Sequence, residues 1–208
     1  VRPPKEITLY NPLAGDGPNS RVGLMKKSVR LGIIGFGGMG QYHARYLGKG
    51  EVKRVTLAAV ADQNPKQLAA AAPGVRTFAD GMALIRSGEV DAVLIATPHY
   101  DHVPEGIAAL KAGLHVLVEK PVAVDKAGAA RLIAAHKNQR QVFGVMFNQR
   151  TDPRYRRLRE LLRSGELGPV RRVAWTITDW FRPHAYYASG GWRATWAGEG
   201  GGVLVNQS

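Results

Sequence analysis

Short runs dominated by valine, isoleucine, leucine and alanine alternate with longer segments of helical pattern from residue 29 onward. Strands built almost wholly from such residues are typical of a parallel sheet that is covered on both faces. Because helical segments such as 65–72 and 126–137 separate these runs, the pattern predicts an open α/β fold with a doubly wound parallel sheet. We predict strands at residues 29–34, 54–61, 91–96, 114–118 and 141–146.

Capping residues support the helix between the third and fourth predicted strands. Asp101 is a good N-cap, Pro104 falls in the first turn, where its missing N–H is tolerated, and Gly113 is suited to end the helix. In the first helix, the face that we expect to pack onto the sheet consists of Met39, Tyr42 and Tyr46.

The pattern changes after Asn148. Residues 154–163 are rich in arginine and carry apolar side chains at helical spacing, which predicts a helix with a buried stripe. Residues 170–179 alternate like a half-exposed strand, and the apolar run 203–205 indicates the start of another strand. Since one long strand cannot form a stable sheet alone, we expect residues 149–208 to begin a second domain, and the chain to be a fragment of a longer protein. The expected stripe consists of Tyr155, Leu158, Leu161 and Leu162.

Residues 1–27 precede the first domain, which we assign to residues 28–148. The first 24 residues are rich in proline and glycine, and they show neither a helix or strand period nor the apolar run of a secretory signal. Two interpretations stay open. Either translation starts at Met25 and the preceding residues are an artefact, or the extension is a disordered tail.

The sequence GFGGMG at residues 35–40 lies directly after the first predicted strand and directly before a helical pattern. In that setting it predicts the phosphate-binding loop of a dinucleotide site, with a glycine turn that binds no ligand as the alternative. Gly35 permits the tight turn, Gly37 lets the backbone approach a pyrophosphate, and Gly40 allows close packing of helix on strand. The candidate cofactor-binding residues of the loop are Gly35, Phe36, Gly37, Gly38, Met39 and Gly40.

Asp62 follows the second predicted strand, 22 residues after Gly40. A carboxylate at this point can accept hydrogen bonds from both ribose hydroxyls of the adenosine, and it would repel a 2′-phosphate. We therefore expect NAD as the cofactor, with NADP as the alternative because Lys66 lies nearby in the sequence. Asp62 could also cap the helix that starts at Pro65.

Two tripeptides end further predicted strands, ATP at residues 96–98 and EKP at residues 119–121. Ligands of open α/β sheets lie at the carboxyl ends of the strands, so both tripeptides should face the cofactor crevice. His102 either caps the following helix or neighbours the nicotinamide. The further candidate cofactor-binding residues are Ala96, Thr97, Pro98, His102, Glu119 and Lys120.

These motifs resemble those of the Gfo/Idh/MocA oxidoreductase family, which also has a glycine-rich segment before its catalytic strand, here GGGVLVNQ at 200–207. The likeness extends from about residue 28 to residue 208. It implies an NAD(P)-binding Rossmann domain joined to an α+β domain with an open, largely antiparallel sheet. It also implies hydride transfer between NAD(P) and a hydroxyl carbon of a sugar, cyclitol or related polyol. Some relatives use NAD for glycoside cleavage, so an NAD-dependent glycosidase is the alternative.

Lys120 is the residue that we expect to carry the proton transfer. A partly buried amine loses its proton more readily than an amine in water, and it can then take the hydroxyl proton while hydride leaves for the cofactor. The resemblance implies the same place in the active site for the EKP lysine, and it implies that the bond to Pro121 is often cis. The alternative is a surface lysine neutralised by Glu119.

Asn206 departs from the family pattern, because the resemblance implies an aspartate at this position and a histidine four residues later. That histidine would fall past Ser208. Since an amide can orient a hydroxyl but cannot act as a base, we assign Asn206 an orienting role in catalysis.

The segment 179–196 is rich in aromatic residues interspersed with arginine and histidine. Aromatic ring faces beside hydrogen-bond donors suit a polyol, while a packing cluster or an oligomer contact is the alternative. The candidate substrate-binding residues are Asn148, Arg182, Trp192 and Arg193.

The formal net charge of +13 favours a nucleic acid or an anionic membrane as the partner at first sight. The excess is spread, however, as +1 over residues 1–24, +8 over residues 25–150 and +4 over residues 151–208. A basic nucleic-acid-binding protein is therefore the weaker alternative, and no run approaches the ~20 apolar residues of a membrane span. We expect a small-molecule partner, no nucleic acid, no membrane and a homo-oligomeric full-length protein.

The chain contains no cysteine. This excludes disulfides, thiolate metal sites and cysteine nucleophiles, and it fits a cytoplasmic location. The histidines at positions 43, 99, 115 and 136 lack mutual metal-ligand spacing, so we expect no metal site.

Overall fold

The structure, a computed structural model, describes residues 28–176, 178, 181–188 and 191–206. The N-terminal extension at residues 1–27 lies outside the described residues, as does Asp179 at the end of the predicted strand 170–179. From residue 28 onward the described chain alternates strands with helices.

The first part of the chain forms one six-stranded sheet. Its elements are β1 (Val29–Ile34), α1 (Gly38–Gly48), β2 (Val55–Ala61), α2 (Pro65–Leu68), β3 (Arg76–Phe78), α3 (Gly81–Arg86), β4 (Ala92–Ile95), α4 (His102–Lys111), β5 (His115–Val118), α5 (Lys126–Ala135) and β6 (Phe143–Val145). All strands are parallel, in the order β3-β2-β1-β4-β5-β6. The order reverses between β1 and β4, and this reversal opens a crevice at the carboxyl ends of the strands. The predicted α/β fold with a doubly wound parallel sheet is confirmed.

Apolar side chains fill both faces of the sheet, because successive residues of a strand point to opposite sides. In β1, Ile34 packs in a cluster with side chains of α3, α4 and α5, whereas its neighbour Ile33 packs with Leu47 of α1. All four residues of β4 are buried, in keeping with its place inside the sheet. The helices thus cover both faces, and the carboxyl ends of the strands stay open for a ligand.

The predicted packing face of α1 is wrong. The side chains of Met39 and Tyr42 are 46% and 54% exposed, and only Tyr46 of that set packs against the apolar cluster. A Cβ at Gly40 would lie 2.1 Å from the Gly35 carbonyl oxygen, so the helix approaches the strand on the side of residue 40. The residues of α1 buried on that side are Gly40, His43 and Leu47.

The sequence pattern does not predict β3 and α3, and it makes α2 and α5 too long. β3 is a three-residue edge strand in which only Phe78 is partly buried, so it lacks a long apolar run. The Asp80 carboxylate caps α3 by accepting a hydrogen bond from the Ala83 N–H at 2.8 Å. Asp101 occupies the N-cap position of α4 without a side-chain cap bond, and Gly113 follows the end of α4 with φ of +88°.

The second part of the chain is helical where the structure describes it. A 3-10 helix (Asn148–Thr151) leads into α6 (Pro153–Ser164), α7 (His184–Ala188), α8 (Trp196–Glu199) and α9 (Val203–Asn206). The strand predicted over 170–179 is not found at residues 170–176 and 178, because no second strand among the described residues lies there to pair with it. The prediction of a strand from residue 203 is wrong, since the N–H groups of Val205 and Asn206 both donate to the Gly202 carbonyl and close a helical turn.

The arginine-rich helix α6 has no buried residue, so the predicted buried stripe is wrong. Leu158 and Leu162 are 46% and 43% exposed, and Tyr155 stacks on Trp175 with ring centroids 5.5 Å apart. Asp152 caps this helix through the Arg154 N–H. Among the described residues no helix combines the length and the apolar character needed to cross a membrane.

We predict that Gly40→Ala destabilises the protein by about 1–3 kcal/mol, because the added methyl group would overlap the Gly35 carbonyl oxygen. Gly48→Ala, at the other end of the same helix, is the matched control. A Cβ at Gly48 meets nothing within 4 Å, so alanine should leave stability unchanged or raise it by up to about 1 kcal/mol. Urea unfolding of both variants measures the difference, and equal stabilities would contradict the close packing.

Candidate functional site

The glycine loop between β1 and α1 is fixed by main-chain contacts. The Gly35 N–H donates to the Ala61 carbonyl at 2.8 Å, and Gly35 has φ of +85°, a conformation that favours glycine. A Cβ at Gly35 would lie 2.6 Å from the Thr97 nitrogen. The loop is therefore held against the ends of both β2 and β4.

The middle of the loop faces open space. A Cβ at Gly37 or at Gly38 would meet no atom within 4 Å. Gly37 is the N-cap of α1 and supplies no side-chain cap, so the first N–H groups of the helix point outward without a side-chain partner at their positive dipole end. This geometry fits a phosphate group, which is the purpose that the sequence predicts for the loop.

Asp62 braces the same loop from the end of β2. One carboxylate oxygen accepts a hydrogen bond from the Phe36 N–H at 2.7 Å, and the other accepts one from the Asn64 N–H at 2.8 Å. The carboxylate is partly exposed, so a ribose hydroxyl can still reach its outer lone pairs. Asn64, rather than Asp62, is the N-cap of α2.

The end of β4 is tied to the end of β5 through His102. Its ring nitrogens lie 2.7 Å from the Pro121 carbonyl oxygen and 2.9 Å from the Thr97 carbonyl oxygen. The side chain is 1% exposed, and burial lowers its pKa although both carbonyls act in the opposite direction. The buried His102 side chain therefore links the two tripeptide loops, and protein atoms enclose its ring.

The Glu119 carboxylate forms hydrogen bonds with a side chain of α1 and with the main chain of the next residue. One carboxylate oxygen lies 2.7 Å from Nε2 of His43, and the other accepts the Lys120 N–H at 3.1 Å. His43 and Glu119 are 3% and 7% exposed, and Nδ1 of His43 lies 2.7 Å from the Tyr46 hydroxyl. These contacts fix the backbone from which the Lys120 side chain projects, and the peptide bond from Lys120 to Pro121 is cis.

Lys120 meets Asn206, which lies 86 positions further along the chain. Its Nζ donates to the Asn206 side-chain oxygen at 2.7 Å and to the Asn206 main-chain oxygen at 2.9 Å. The structure thus brings the two predicted catalytic residues into direct contact. The interpretation of Lys120 as a surface lysine neutralised by Glu119 does not fit, because the Glu119 carboxylate binds His43 and main-chain N–H instead.

Burial lowers the pKa of the Lys120 amine, and the guanidinium groups of Arg182 and Arg193 lower it further. The carboxylates of Glu119 and Glu199 act in the opposite direction. The lowered pKa favours the neutral amine, the form that can accept a proton.

The arginine and aromatic side chains of the predicted substrate loop form one cluster. The guanidinium carbons of Arg182 and Arg193 lie 4.3 Å and 4.4 Å from the centre of the Tyr186 ring. Arg193 also lies 4.6 Å from the Trp192 ring centre and donates to the Tyr186 hydroxyl. Trp192 meets His99 edge to face with the ring centroids 5.2 Å apart, so the cluster extends to the loop that follows β4.

The remaining predicted residues have mixed positions. Phe36 is 2% exposed and belongs to the apolar core, so it offers a ligand only its backbone. Met39 and Pro98 are exposed beside the crevice. Asn148 is exposed in the 3-10 helix, where its carbonyl accepts a hydrogen bond from the Thr151 hydroxyl.

Sequence reasoning misses Glu199, which is 6% exposed and contacts Asn206. An acidic residue between glycines reads as part of a turn, and no spacing links it to position 206. The contact of His99 is not predicted either, because no spacing links it to Glu199. Its Nδ1 lies 2.9 Å from the Glu199 carbonyl oxygen. In the part of the chain that the structure describes, no group of three histidine, aspartate or glutamate side chains could hold a metal ion.

Sequence profiles of two protein domains match the chain. A profile described as an oxidoreductase family with an NAD-binding Rossmann fold covers residues 29–147, and one for the GFO/IDH/MocA C-terminal domain covers residues 155–208. The chain belongs to the Gfo/Idh/MocA oxidoreductase family. The resemblance seen in the motifs GFGGMG and EKP is thereby confirmed.

Several Gfo/Idh/MocA relatives are named dehydrogenases. Inositol 2-dehydrogenase of Corynebacterium glutamicum is 36% identical over 150 residues, which are 70% of this chain and 44% of that protein. A crystal structure of scyllo-inositol dehydrogenase from Lactobacillus casei with bound NAD(H) and scyllo-inositol matches with a TM-score of 0.62 and 30% identity, over 68% of this chain and 43% of that chain. The WlbA dehydrogenase from Bordetella pertussis in complex with NADH and UDP-GlcNAcA matches with a TM-score of 0.75 and 28% identity, over 87% of this chain and 54% of that chain. The chain thus spans about half the length of these relatives.

We predict that Glu105 of α4 makes the stability of the folded protein depend on pH. Its carboxylate accepts a hydrogen bond from the Thr97 hydroxyl at 2.7 Å, and burial raises its pKa to about 7. The folded protein therefore binds this proton more tightly than the unfolded chain does, and Glu105 should reduce stability as the pH rises from about 4.5 to about 7. Glu105→Gln, which cannot ionise, should be more stable than the wild type at pH 8 by about 2–3 kcal/mol and similar to it at acidic pH.

Urea unfolding at acidic and alkaline pH measures this difference. Glu166→Gln is the matched control, because Glu166 is exposed. Parallel pH dependences for the wild type and the Glu105 variant would contradict the raised pKa.

Proposed function

We propose that the protein is an NAD-dependent oxidoreductase that transfers hydride between the cofactor and a hydroxyl carbon of a sugar, cyclitol or related polyol. The observation that carries this proposal is the contact of Lys120 with Asn206 at the carboxyl end of β5. This contact lies on the side of the sheet where the glycine loop faces open space. A proton-accepting amine beside a dinucleotide site is the arrangement that alcohol oxidation requires.

Support for NAD comes from the glycine loop and from Asp62. The open space at Gly37 and Gly38 admits a pyrophosphate at the N-terminus of α1. The Asp62 carboxylate, already anchored to the loop through the Phe36 N–H, can accept the ribose hydroxyls and disfavours a 2′-phosphate. When bound, NAD supplies the acceptor or donor of hydride.

In this proposal the Lys120 amine moves the hydroxyl proton. A neutral amine has two N–H groups and one lone pair. Both N–H groups can stay on the two oxygens of Asn206, so the lone pair is left to accept the proton of the substrate hydroxyl. The resulting ammonium keeps both bonds and donates its third N–H to the substrate oxygen. Asn206 holds the amine and takes no proton itself, as its amide chemistry requires.

The cluster of Arg182, Tyr186, Trp192 and Arg193 is the proposed substrate surface. Ring faces can stack on the C–H groups of a polyol, and the guanidinium groups can donate to its hydroxyls. The names of relatives support a polyol or sugar derivative, since they include inositol dehydrogenases and a dehydrogenase bound to UDP-GlcNAcA. We also propose that residues 28–148 form the cofactor domain and that residues 149–208 belong to a substrate domain with an open, largely antiparallel sheet.

We predict that Asp62→Asn weakens NAD binding about tenfold, because a neutral amide accepts weaker hydrogen bonds from the ribose than a carboxylate does. NADP should bind unchanged or more tightly, since the repulsion of its 2′-phosphate is removed. Titration of the full-length protein with each cofactor, followed by calorimetry, measures both affinities. Equal weakening for NAD and NADP would argue against a ribose contact, and no binding of either cofactor by the wild type would refute the cofactor site.

We predict that Lys120→Met lowers kcat by about 10²–10⁴-fold while NAD affinity changes little, because the variant loses the proton acceptor and keeps the glycine loop. In the wild type, kcat/KM for oxidation should rise with pH and level off below the pKa of 10.5 of an ordinary lysine, in line with the lowered pKa of Lys120. NADH absorbance measures turnover with a panel of inositols and hexoses.

Lys126→Met is the matched control, because Lys126 is an exposed lysine at the start of α5. It should retain the wild-type kcat. A Lys120→Met variant with a kcat within a few-fold of the wild type would remove Lys120 from the mechanism.

A further inference from the structure

Glu199 is a buried carboxylate with two donors. It ends α8 and is 6% exposed. One oxygen accepts the Ala194 N–H at 2.9 Å, and the other accepts the Asn206 side-chain N–H at 2.8 Å. Acidic side chains are rarely buried unless they are paired, so the burial of the Glu199 carboxylate requires an explanation.

The contact decides which end of the Asn206 amide faces Lys120. An ionised carboxylate can only accept hydrogen bonds, and a lysine amine mainly donates them. With Nδ2 on Glu199 and Oδ1 on Lys120, both contacts are satisfied at 2.8 Å and 2.7 Å. A rotated amide would place Oδ1 against the carboxylate, which is repulsive. Its Nδ2 would face the amine, where it can bind only the lone pair that the proton transfer needs.

We propose that Glu199 is a positioning residue that orients the Asn206 amide and thereby holds the Lys120 amine at the site of proton transfer. This inference rests on the proposed function of Lys120. Glu199 itself touches neither of the reacting atoms. Its effect passes through Asn206, whose side-chain oxygen supplies one of the two acceptors of the amine.

A purely structural role is the competing explanation, because the bond to the Ala194 N–H helps to close the turn between residues 194 and 199. Glu199→Gln separates the two roles. The new amide has one acceptor and one donor, but both of its neighbours donate. If its oxygen stays on Ala194, its N–H₂ group faces the Asn206 N–H₂ group, and Asn206 must turn its nitrogen towards Lys120.

Asn206→Asp creates the opposite mismatch. Two carboxylates would then lie within hydrogen-bond distance in a buried place, and one of them must hold a proton. The double variant Glu199→Gln, Asn206→Asp exchanges the two groups and keeps the total charge. The amide at position 199 can accept from the Ala194 N–H and donate to the new carboxylate, which still accepts from Lys120.

The experiment compares kcat, KM and the pH profile of kcat/KM for the full-length wild type, both single variants and the double variant, with NAD and a polyol that the wild type oxidises. Each single variant should lose about 10- to 100-fold in kcat, the cost of a misplaced reacting group. The double variant should regain at least tenfold over either single variant, with its pH profile moved to higher pH, because a carboxylate beside the amine raises the pKa of Lys120. Glu166→Gln, an exposed site, should match the wild type.

A second measurement does not need turnover. Lys120 is acetylated with a trace of acetic anhydride, and its labelling rate is followed by mass spectrometry as a function of pH. The single variants should label at a changed rate, since the side-chain partner of the amine at position 206 changes while the main-chain oxygen stays. The double variant should return towards the wild-type rate. NAD affinity and thermal unfolding of each variant report whether the fold is intact.

The results separate the inference from the proposed function. A wild type that binds no NAD, or oxidises no polyol, refutes the proposed function, and the labelling experiment still tests the positioning role. The positioning role is overturned if Glu199→Gln leaves both kcat and labelling unchanged. It is also overturned if the double variant is no better than the single variants, because the loss would then reflect the turn at residues 194–199 alone.

Discussion

The absence of a side chain at Gly40 lets α1 begin directly against the end of β1, since a Cβ there would lie only 2.1 Å from the Gly35 carbonyl oxygen. This close approach determines the rotation of α1. It turns His43 towards Glu119, and the bond between them anchors the backbone of the EKP segment. The cofactor loop and the Lys120 loop thus depend on one packing contact, although residues 40 and 120 are far apart in sequence.

The site joins two parts of the chain through a few polar contacts. Lys120 comes from the strand end of the parallel sheet, whereas Asn206 and Glu199 come from short helices near the end of the described chain. The His99 ring adds a second link through the Glu199 carbonyl. Because an unsatisfied buried polar group costs about 1–3 kcal/mol, each of these groups favours one arrangement of the others. The lysine therefore has a defined position.

The sequence predicts the parts of the fold that follow from strong local signals. Strands β1, β2, β4 and β5 are continuous apolar runs, and the glycine loop has a recognisable spacing. It does not predict β3, where Phe78 is the only partly buried residue, or the helix at Val203–Asn206, whose apolar residues suit a strand equally well. Lys120 and Asn206 are predicted as separate residues from their motifs. Their contact with Glu199 is not predicted, because it arises from tertiary packing that no local spacing encodes.

The amine of Lys120 is held by the main-chain oxygen of residue 206 as well as by its side chain. Every amino acid supplies that main-chain oxygen, so half of the attachment is independent of which residue occupies the position. Asparagine at this position can therefore be replaced without releasing the lysine altogether, provided that the residue at position 199 changes to match the new side chain. Such partial redundancy makes residue 206 a position at which the side chain can change in chemistry while the lysine keeps one of its two hydrogen bonds.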